Sequence, residues 1–292
     1  MLEISALQGH FAAEMTKGAD VLLADRHGES IRQALLDWPV LVIRGMELAR
    51  AEHVALTRVL GEPEAVTDTR NHHPDSMDIL VVNTSGGTPV VGNDHWHTDR
   101  SFLPEPTRFT VLRADVVPRQ GGDTLFADMA SAYAKAPRKW KEELAGSAGV
   151  HSYDRIARLR SEIHGKPIEQ EYTRKYPPVR HPMVRAHPET GIPALYLNEL
   201  CLTRIETAQG TPAEVSIEEL HSHATHERFV YRHQWRAGDI VIWDNATVMH
   251  RADRLAPGVQ RVMHRTTTAG GPPLSAIEHR QAATGASVLM DI

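Results

Sequence analysis

A sequence rich in metal-binding side chains lies at residues 93–102, NDHWHTDRSF. If it forms an extended strand, alternate side chains share a face, and His97 and Asp99 project in the same direction. An imidazole and a carboxylate on one face could occupy two adjacent coordination positions of a metal ion. The pair is two thirds of the two-histidine, one-carboxylate triad of non-haem Fe(II) oxygenases, which leaves coordination positions open. Because the chain contains 18 histidines, the pair needs support from the rest of the sequence.

The third ligand of such a triad must come from a distant strand, and His250 is the predicted one. It ends the segment WDNATVMH at residues 243–250, which is typical of a strand, a tight turn and a second strand. Most other histidines, such as His181 and His221, are expected in loops or on solvated helix faces. His250 is further distinguished by two arginines that follow it.

Arg261 and Arg265 follow His250 at eleven and fifteen residues. In a strand, residues separated by an even number share a face, so both guanidinium groups would point to the same side. Burying two such groups in an apolar strand is costly unless anions accompany them. A guanidinium also matches a carboxylate through paired hydrogen bonds. The pair therefore favours a site for an acid such as a 2-oxoacid.

These motifs in combination resemble the taurine dioxygenase/2,4-dichlorophenoxyacetate dioxygenase (TauD/TfdA) family: His97-x-Asp99, Gly121-Gly122-Asp123-Thr124, Trp243-Asp244-Asn245, His250, Arg261 and Arg265. The similarity extends over nearly the whole chain, to about Gly270. It implies a mainly β fold with peripheral helices, namely a double-stranded β-helix (jelly roll, cupin-like). A single Fe(II)/2-oxoglutarate dioxygenase domain is expected over residues 1–292.

The resemblance also implies the role of each motif. The cofactors would be Fe(II), 2-oxoglutarate and O2, with the iron held by His97, Asp99 and His250. Thr124 and Arg261 would bind the tail carboxylate of 2-oxoglutarate. Arg265 would lie beside this cosubstrate and meet the acidic group of the substrate. The implied reaction hydroxylates a C–H bond and releases succinate and CO2, with C–O, C–S or C–N cleavage if the carbon bears a heteroatom.

The substrate is expected to be a small anion, a carboxylate, sulfonate or sulfate ester. Asn93 is implied to line its pocket, and His95, Arg100 and Phe102 are candidates from the same stretch. Taurine-acting members of the family place an aromatic residue where this chain has Cys201, and a histidine in the loop after Gly-Glu. A cysteine would leave a roomier, more apolar pocket. An aryloxyalkanoate-like acid is therefore favoured over taurine.

Three other readings of the sequence remain open at this point. His95, His97 and Asp99 form H-x-H-x-D, which begins a dinuclear zinc hydrolase motif, although Arg100 stands where that motif continues with histidine. A halogenase of related fold would replace Asp99 by a small residue. A jelly roll that binds a small molecule without catalysis would have little reason to keep the triad and both arginines.

Composition limits the class of protein and its partners. The chain has 292 residues, a net charge of −5 and scattered Lys and Arg, which gives no sign of a nucleic-acid partner. The single cysteine and the lack of a signal peptide or long apolar run predict a soluble cytoplasmic protein without a membrane partner. A homo-oligomer, dimer or tetramer, is expected by analogy with the family.

Hydrophobic patterns predict the elements that position these residues. The predicted strands cover residues 39–43, 79–82, 109–117, 124–127, 183–187, 194–198, 229–235, 240–243, 247–250 and 261–268. The predicted helices cover residues 30–38, 52–60, 129–135 and 137–144, and a further one follows a capping box at residues 216–219. Residues 151–182 lack a clear period and are expected to form a loop that serves as an active-site lid.

Overall fold

The computed structural model describes residues 3–7, 11–15, 25–46, 48–66, 72–74, 76–84, 91–165, 170–256 and 258–279. Its strands are β1 (Ile4–Ala6), β2 (Ala12–Met15), β3 (Val40–Ile43), β4 (His72–His73), β5 (Ser76–Asn83), β6 (Phe109–Val116), β7 (Thr124–Asp128), β8 (Ala148–His151), β9 (Val179–Pro182), β10 (Val184–Ala186), β11 (Pro193–Leu195), β12 (Leu202–Glu206), β13 (Val230–His233), β14 (Ile240–Asp244), β15 (Val248–Ala252), β16 (Val262–Thr267) and β17 (Leu274–Ser275). Its helices are α1 (Asp25–Asp37), α2 (Arg50–Leu60), α3 (Met129–Ala134), α4 (Arg138–Leu144), α5 (Asp154–His164), α6 (Gln170–Lys175) and α7 (Ile217–Ala224).

The largest sheet has the strand order β1-β2-β3-β14-β6-β16-β5-β4. Its central strands are continuous apolar runs, such as VLVI in β3 and IVIW at the start of β14, and all of these residues are buried. Such runs form strands that are covered on both faces. One face packs on α1 and α2 through residues that include Ile31, Leu35 and Leu56.

The other face of this sheet packs against a second antiparallel sheet, with the order β13-β7-β15. Phe126 of β7 and Trp243 of β14 meet between the two sheets, with ring centroids 5.4 Å apart. Helices α3 and α7 cover the outer side of the second sheet through Met129, Ala132 and Leu220. The two sheets, antiparallel except where β2 pairs with β3, enclose one core and form the predicted jelly roll, which is thereby confirmed.

The starts of two predicted helices are confirmed by side-chain geometry. The Asp128 carboxylate accepts hydrogen bonds from the backbone N–H groups of Ala130 and Ser131, and so caps α3. Ser216 and Glu219 form the predicted capping box of α7. None of the described helices is both long and apolar enough to cross a membrane.

One assumed conformation and one local prediction are wrong. Residues 93–102 form turns rather than an extended strand, apart from a single β-bridge from His97 to His250. Residues 151–182 do not form an aperiodic loop, because they contain α5, α6 and β9, while residues 166–169 lie outside the described part of the chain. The apolar side chains Ile156, Leu159 and Ile163 recur at helical spacing, but the arginines between them obscure this period.

Candidate active site

The backbone brings the distant parts of the triad together. The His97 N–H donates to the carbonyl of His250 at 2.9 Å, and the His250 N–H donates to the carbonyl of His97 at 2.8 Å. This bridge extends the pairing between β15 and β7, where His250 lies opposite Phe126. The His250 ring packs against Trp243, with ring centroids 4.6 Å apart. The imidazole is therefore held by both sheets of the jelly roll.

The three predicted metal ligands converge on one point. The Nε2 atoms of His97 and His250 lie 3.8 Å and 3.9 Å from Oδ1 of Asp99. One nitrogen or oxygen atom from each residue lies within 4.8 Å of those of the other two, and this is the one such group within the described ranges. The spacing allows one small ion to contact all three side chains.

Hydrogen bonds fix the orientation of Asp99. Thr110 Oγ1 donates to Asp99 Oδ2 at 2.6 Å, and thereby leaves Oδ1 facing the two imidazoles. Asn245 holds both partners, because its Oδ1 accepts from the Asp99 N–H at 3.2 Å and its Nδ2 donates to Thr110 Oγ1 at 3.0 Å. His97 Nδ1 lies 2.7 Å from the carbonyl oxygen of His95 and donates a hydrogen bond to it. Nε2 of the neutral ring therefore carries a free electron pair that can bind a metal ion.

The electrostatics of the site suit a divalent cation. Burial lowers the pKa of His97 and holds that of His250 well below its ordinary value, so both imidazoles are neutral at pH 7. Burial opposes ionisation of Asp99, but Arg265 and the two histidines outweigh it and hold the carboxyl pKa well below its ordinary value. Two neutral imidazoles and one carboxylate are a donor set that fits Fe(II).

Arg261 and Thr124 form a separate polar group inside the jelly roll. Arg261 Nη2 lies 3.4 Å from Thr124 Oγ1, which also accepts a hydrogen bond of 2.9 Å from Trp235 Nε1. Arg261 is 4 % exposed and forms no ion pair with a described residue. Burial lowers its pKa to about 10, although nearby Asp123 opposes this. A buried guanidinium without an acidic partner is suited to a carboxylate ligand.

A cavity of about 220 Å³ opens beside the triad, and its lining includes many of the predicted substrate contacts. His97, Asp99, Asn93, Phe102 and Cys201 contribute to this lining. Apolar side chains also line it, beside further polar and charged ones: Val66, Leu80, Val91, Ile156 and Leu200. A second cavity of about 510 Å³ adjoins it at Gly92 and Asn93, and its lining includes His95 and Arg261.

Two of the predicted substrate contacts, Arg100 and His95, have partners within the protein, and a third, Cys201, is buried. Arg100 Nη1 donates to Glu64 Oε1 at 3.0 Å. His95 Nδ1 lies 3.0 Å from Asp94 Oδ1, and His95 is not part of the metal-binding group. Cys201 is 1 % exposed, and burial raises the pKa of its thiol to about 12. A dinuclear H-x-H-x-D zinc site is therefore not favoured.

Sequence reasoning missed the contacts that support the site. The sequence identifies Thr110 only as part of a predicted strand, and Asn245 only as part of a family motif. Nothing in the sequence of β6 indicates that Thr110, rather than a neighbouring residue of the strand, faces Asp99. Glu64 was also missed as the partner of Arg100, since the two residues are 36 positions apart.

The family model described as "Taurine catabolism dioxygenase TauD, TfdA family" matches residues 3–267. The chain belongs to this family. Over 247 residues it is 35% identical to an alpha-ketoglutarate-dependent 2,4-dichlorophenoxyacetate dioxygenase of Burkholderia sp. (strain RASC), which covers 79% of the chain and 82% of the relative. It is 27% identical over 292 residues to the (S)-phenoxypropionate/alpha-ketoglutarate-dioxygenase of Delftia acidovorans, which covers 93% and 96% of the two chains.

A solved structure of a similar protein also matches this chain. The crystal structure of AAD-2 in complex with Mn(II) and N-oxalylglycine has a TM-score of 0.78 and 28% sequence identity, and the match covers 94% of this chain and 99% of that one. The predicted family and enzyme class are thereby confirmed. The protein is a 2-oxoglutarate-dependent dioxygenase, an oxidoreductase whose cofactors are Fe(II), 2-oxoglutarate and O2.

Proposed function

We propose that this TauD/TfdA member hydroxylates a C–H bond of an aryloxyalkanoate-like carboxylic acid. The observation that carries this proposal is the group of His97, Asp99 and His250 at the edge of a cavity whose lining combines apolar side chains with polar and charged ones. Two relatives of the chain are named as dioxygenases of 2,4-dichlorophenoxyacetate and of (S)-phenoxypropionate. If the hydroxylated carbon bears the ether oxygen, the product is a hemiacetal that breaks at the C–O bond.

In this proposal His97, Asp99 and His250 hold Fe(II). The bound iron, with 2-oxoglutarate and O2, supplies the oxidation of the C–H bond and yields succinate and CO2. The side chains keep the site assembled: the Thr110 hydroxyl orients the carboxylate of Asp99, and the His95 carbonyl fixes the His97 ring. Their support lets Nε2 of His97 act as a ligand without reorientation.

Arg261 and Thr124 bind the tail carboxylate of 2-oxoglutarate in this proposal. Arg261 is buried without an acidic partner among the described residues, and its guanidinium lies beside the Thr124 hydroxyl. A carboxylate placed there would neutralise the guanidinium charge and accept the hydroxyl hydrogen bond. The Arg261 guanidinium lies over the Trp235 ring, with 5.8 Å between the guanidinium carbon and the ring centroid. This contact limits the movement of the guanidinium.

The substrate acid is proposed to pair with Arg265 and to place its ring against the apolar wall. Arg265 lines the cavity and lies 2.7 Å from Asp99, next to the metal position. Phe102, Ile156 and Leu200 supply apolar surface for an aromatic ring. Arg265→Ala should therefore raise KM for every acidic substrate, and full turnover by that variant would contradict the pairing.

Residues 151–182 are proposed to act as a lid within a single domain of residues 1–292. Ile156 of α5 lines the cavity beside the triad, and Leu159 and Ile163 line the adjoining one. Phe102 of the cavity wall packs on Tyr153 and Tyr176, with ring centroids 4.7 Å and 5.2 Å apart. Movement of this segment would open the cavities to solvent and admit substrate.

The decisive experiment measures succinate formed from 2-oxoglutarate with Fe(II) and O2 in the presence of phenoxyacetate, phenoxypropionate or taurine. We expect an aryloxyalkanoate to stimulate succinate formation and taurine to give little stimulation. An anaerobic visible spectrum should show a charge-transfer band that requires both Fe(II) and 2-oxoglutarate. Stimulation by taurine alone would overturn the substrate assignment, and the absence of the band in intact protein would overturn the iron site.

The cellular location and assembly stay predictions. We infer a cytoplasmic location from the single thiol of Cys201, which suits a reducing compartment. A homo-oligomer without a nucleic-acid or membrane partner is expected. Sedimentation velocity of the purified protein tests the oligomeric state, and a monomer at micromolar concentration would contradict that expectation.

A further inference from the structure

Arg185 is a buried cation outside the active site. It lies in β10, the central strand of the three-stranded sheet β11-β10-β17, and is 6 % exposed. Its guanidinium carbon lies 4.0 Å from the centroid of the Tyr196 ring. No residue in the described part of the chain forms a hydrogen bond or ion pair with it, and its Nε is fully buried. The ring face alone offers it limited compensation.

The acidic groups around Arg185 are already paired with other residues. Asp244 is fully buried and accepts hydrogen bonds of 2.8 Å from both Nε and Nη2 of Arg108. It also accepts from His187 Nε2 at 2.9 Å. Glu189 pairs with Arg108 at 3.1 Å and with Arg32 at 3.5 Å. These contacts leave the charge of Arg185 without an anion of its own.

Arg185 contributes to the lining of a cavity of about 410 Å³. The Nη atoms of Arg185 also lack a partner among the described residues, but unlike Nε they keep some accessible surface, and Arg185 lines this cavity. Arg108 lines the same cavity, and Pro106, Ala246 and residues 269–274 form much of the rest of the wall. The cavity is therefore bordered by three arginines, Arg32, Arg108 and Arg185, by the acidic residue Glu189, and otherwise mostly by apolar or small groups.

An uncompensated guanidinium in such a space is unfavourable unless an anion or its equivalent occupies it. A carboxylate matches a guanidinium through two parallel hydrogen bonds. We propose that the cavity beside Arg185 and Arg108 is a second binding site, which takes a small carboxylate anion. This site is distinct from the active site, because Arg261 and Arg265 line other cavities.

The site is also connected to the active site by direct contacts. The Arg108 carbonyl accepts hydrogen bonds from the backbone N–H of Asn245 at 2.8 Å and from its Nδ2 at 3.3 Å. Asn245 in turn contacts Asp99 and Thr110. A carboxylate bound here would therefore stabilise a segment that supports the metal ligands, and it would do so without entering the substrate cavity.

The test uses metal-free protein in which Arg261→Met and Arg265→Met remove the proposed active-site contacts for acids. Replacing chloride by acetate at constant ionic strength should raise the Tm of this double variant by about 2–4 °C once acetate exceeds its Kd by about tenfold. Adding Arg185→Met should abolish the rise. Adding Arg113→Met, which changes another partly buried arginine, should leave the rise intact.

Persistence of the acetate response in the Arg185→Met protein would overturn the proposal, as would its absence in the double variant. A measurement on the unmodified protein covers the case in which a variant fails to fold. Crystals soaked in bromide should give an anomalous peak beside the Arg185 guanidinium, and a cavity without such a peak would refute the site. Neither result depends on dioxygenase activity, so the proposed reaction is tested separately.

Discussion

Arg265 Nη2 lies 2.7 Å from Asp99 Oδ1, the same carboxylate oxygen that faces the Nε2 atoms of His97 and His250. The guanidinium therefore occupies the neighbourhood in which a metal ion would sit. Its charge favours the ionised form of Asp99 and the neutral forms of both histidines, which prepares all three side chains for coordination. The same charge repels an incoming cation, so Arg265 both prepares the site and opposes its occupation.

We expect Arg265→Gln to strengthen binding of Co(II), an air-stable substitute for Fe(II), by at least about threefold at pH 7.5, because a nearby positive charge is removed. Calorimetric titration of metal-free protein measures this affinity. Arg100→Gln is the matched control, since Arg100 pairs with Glu64 rather than with Asp99. An unchanged or weaker affinity in Arg265→Gln would show that the guanidinium does not compete with the metal.

Thr110→Val should weaken metal binding by about 10- to 100-fold, because the hydroxyl that orients Asp99 is lost while side-chain volume is kept. The same titration measures the effect, with circular dichroism to confirm the fold. Thr98→Val removes a buried hydroxyl from the neighbouring segment, where it donates to the Leu197 carbonyl, and should bind metal normally. Equal losses in both variants would point to general damage rather than to orientation of the carboxylate.

The chemistry of the site could be predicted from sequence because it depends on residue types at fixed spacing. His97 and Asp99 are two residues apart, and Arg261 and Arg265 are four apart, so local geometry limits where they can point. The backbone around them could not be predicted. Residues 93–102 adopt turns in which Arg100 has a φ of 53°, a conformation maintained by tertiary contacts that include the bridge to His250.

The burial of polar residues could also not be predicted from the sequence. His181 was expected in a loop or on a solvated face, but it lies in β9 and is 3 % exposed. Its Nε2 lies 3.0 Å from the carbonyl oxygens of Ser101 and Leu103, which satisfy it inside the protein. These partners are about 80 positions away, so no local pattern could reveal them. The strands β8 and β12 were missed for a similar reason, since they pair with each other across some 50 residues.

Arg108→Met should lower the free energy of unfolding by about 3 kcal/mol at pH 7, because it leaves the fully buried carboxylate of Asp244 without its main partner. Burial opposes ionisation, yet Arg108 and His187 lower the Asp244 pKa to about 2. The stabilisation is therefore present above the ordinary carboxyl pKa and is lost as pH falls towards 2. Urea denaturation measures both effects, and Arg204→Met, which breaks an exposed pair, should change little.

The free energy of unfolding should also fall as pH decreases from about 6.5 to about 4, because His53 is held neutral in the fold. His53 lies on the buried face of α2 and is 0 % exposed, and its Nε2 lies 3.0 Å from Oγ1 of Thr266 in the large sheet. Burial lowers its pKa to about 4. As pH falls, His53 takes up a proton in the unfolded chain at a higher pH than it does in the fold. Protonation therefore lowers the free energy of unfolding throughout that range, by on the order of 3 kcal/mol at its acid end.

His53→Gln should remove this share of the pH dependence while costing some stability at pH 7 through altered packing. Urea denaturation at pH 7 and at pH 4.5 gives the two free energies whose difference is compared with that of the unmodified protein. Thr57→Val is the control, because it alters the same buried cluster through the 2.5 Å contact with Thr266 but removes no titrating group. If both variants keep the full pH dependence, its source is another of the buried histidines, such as His181, whose pKa burial also lowers to about 4.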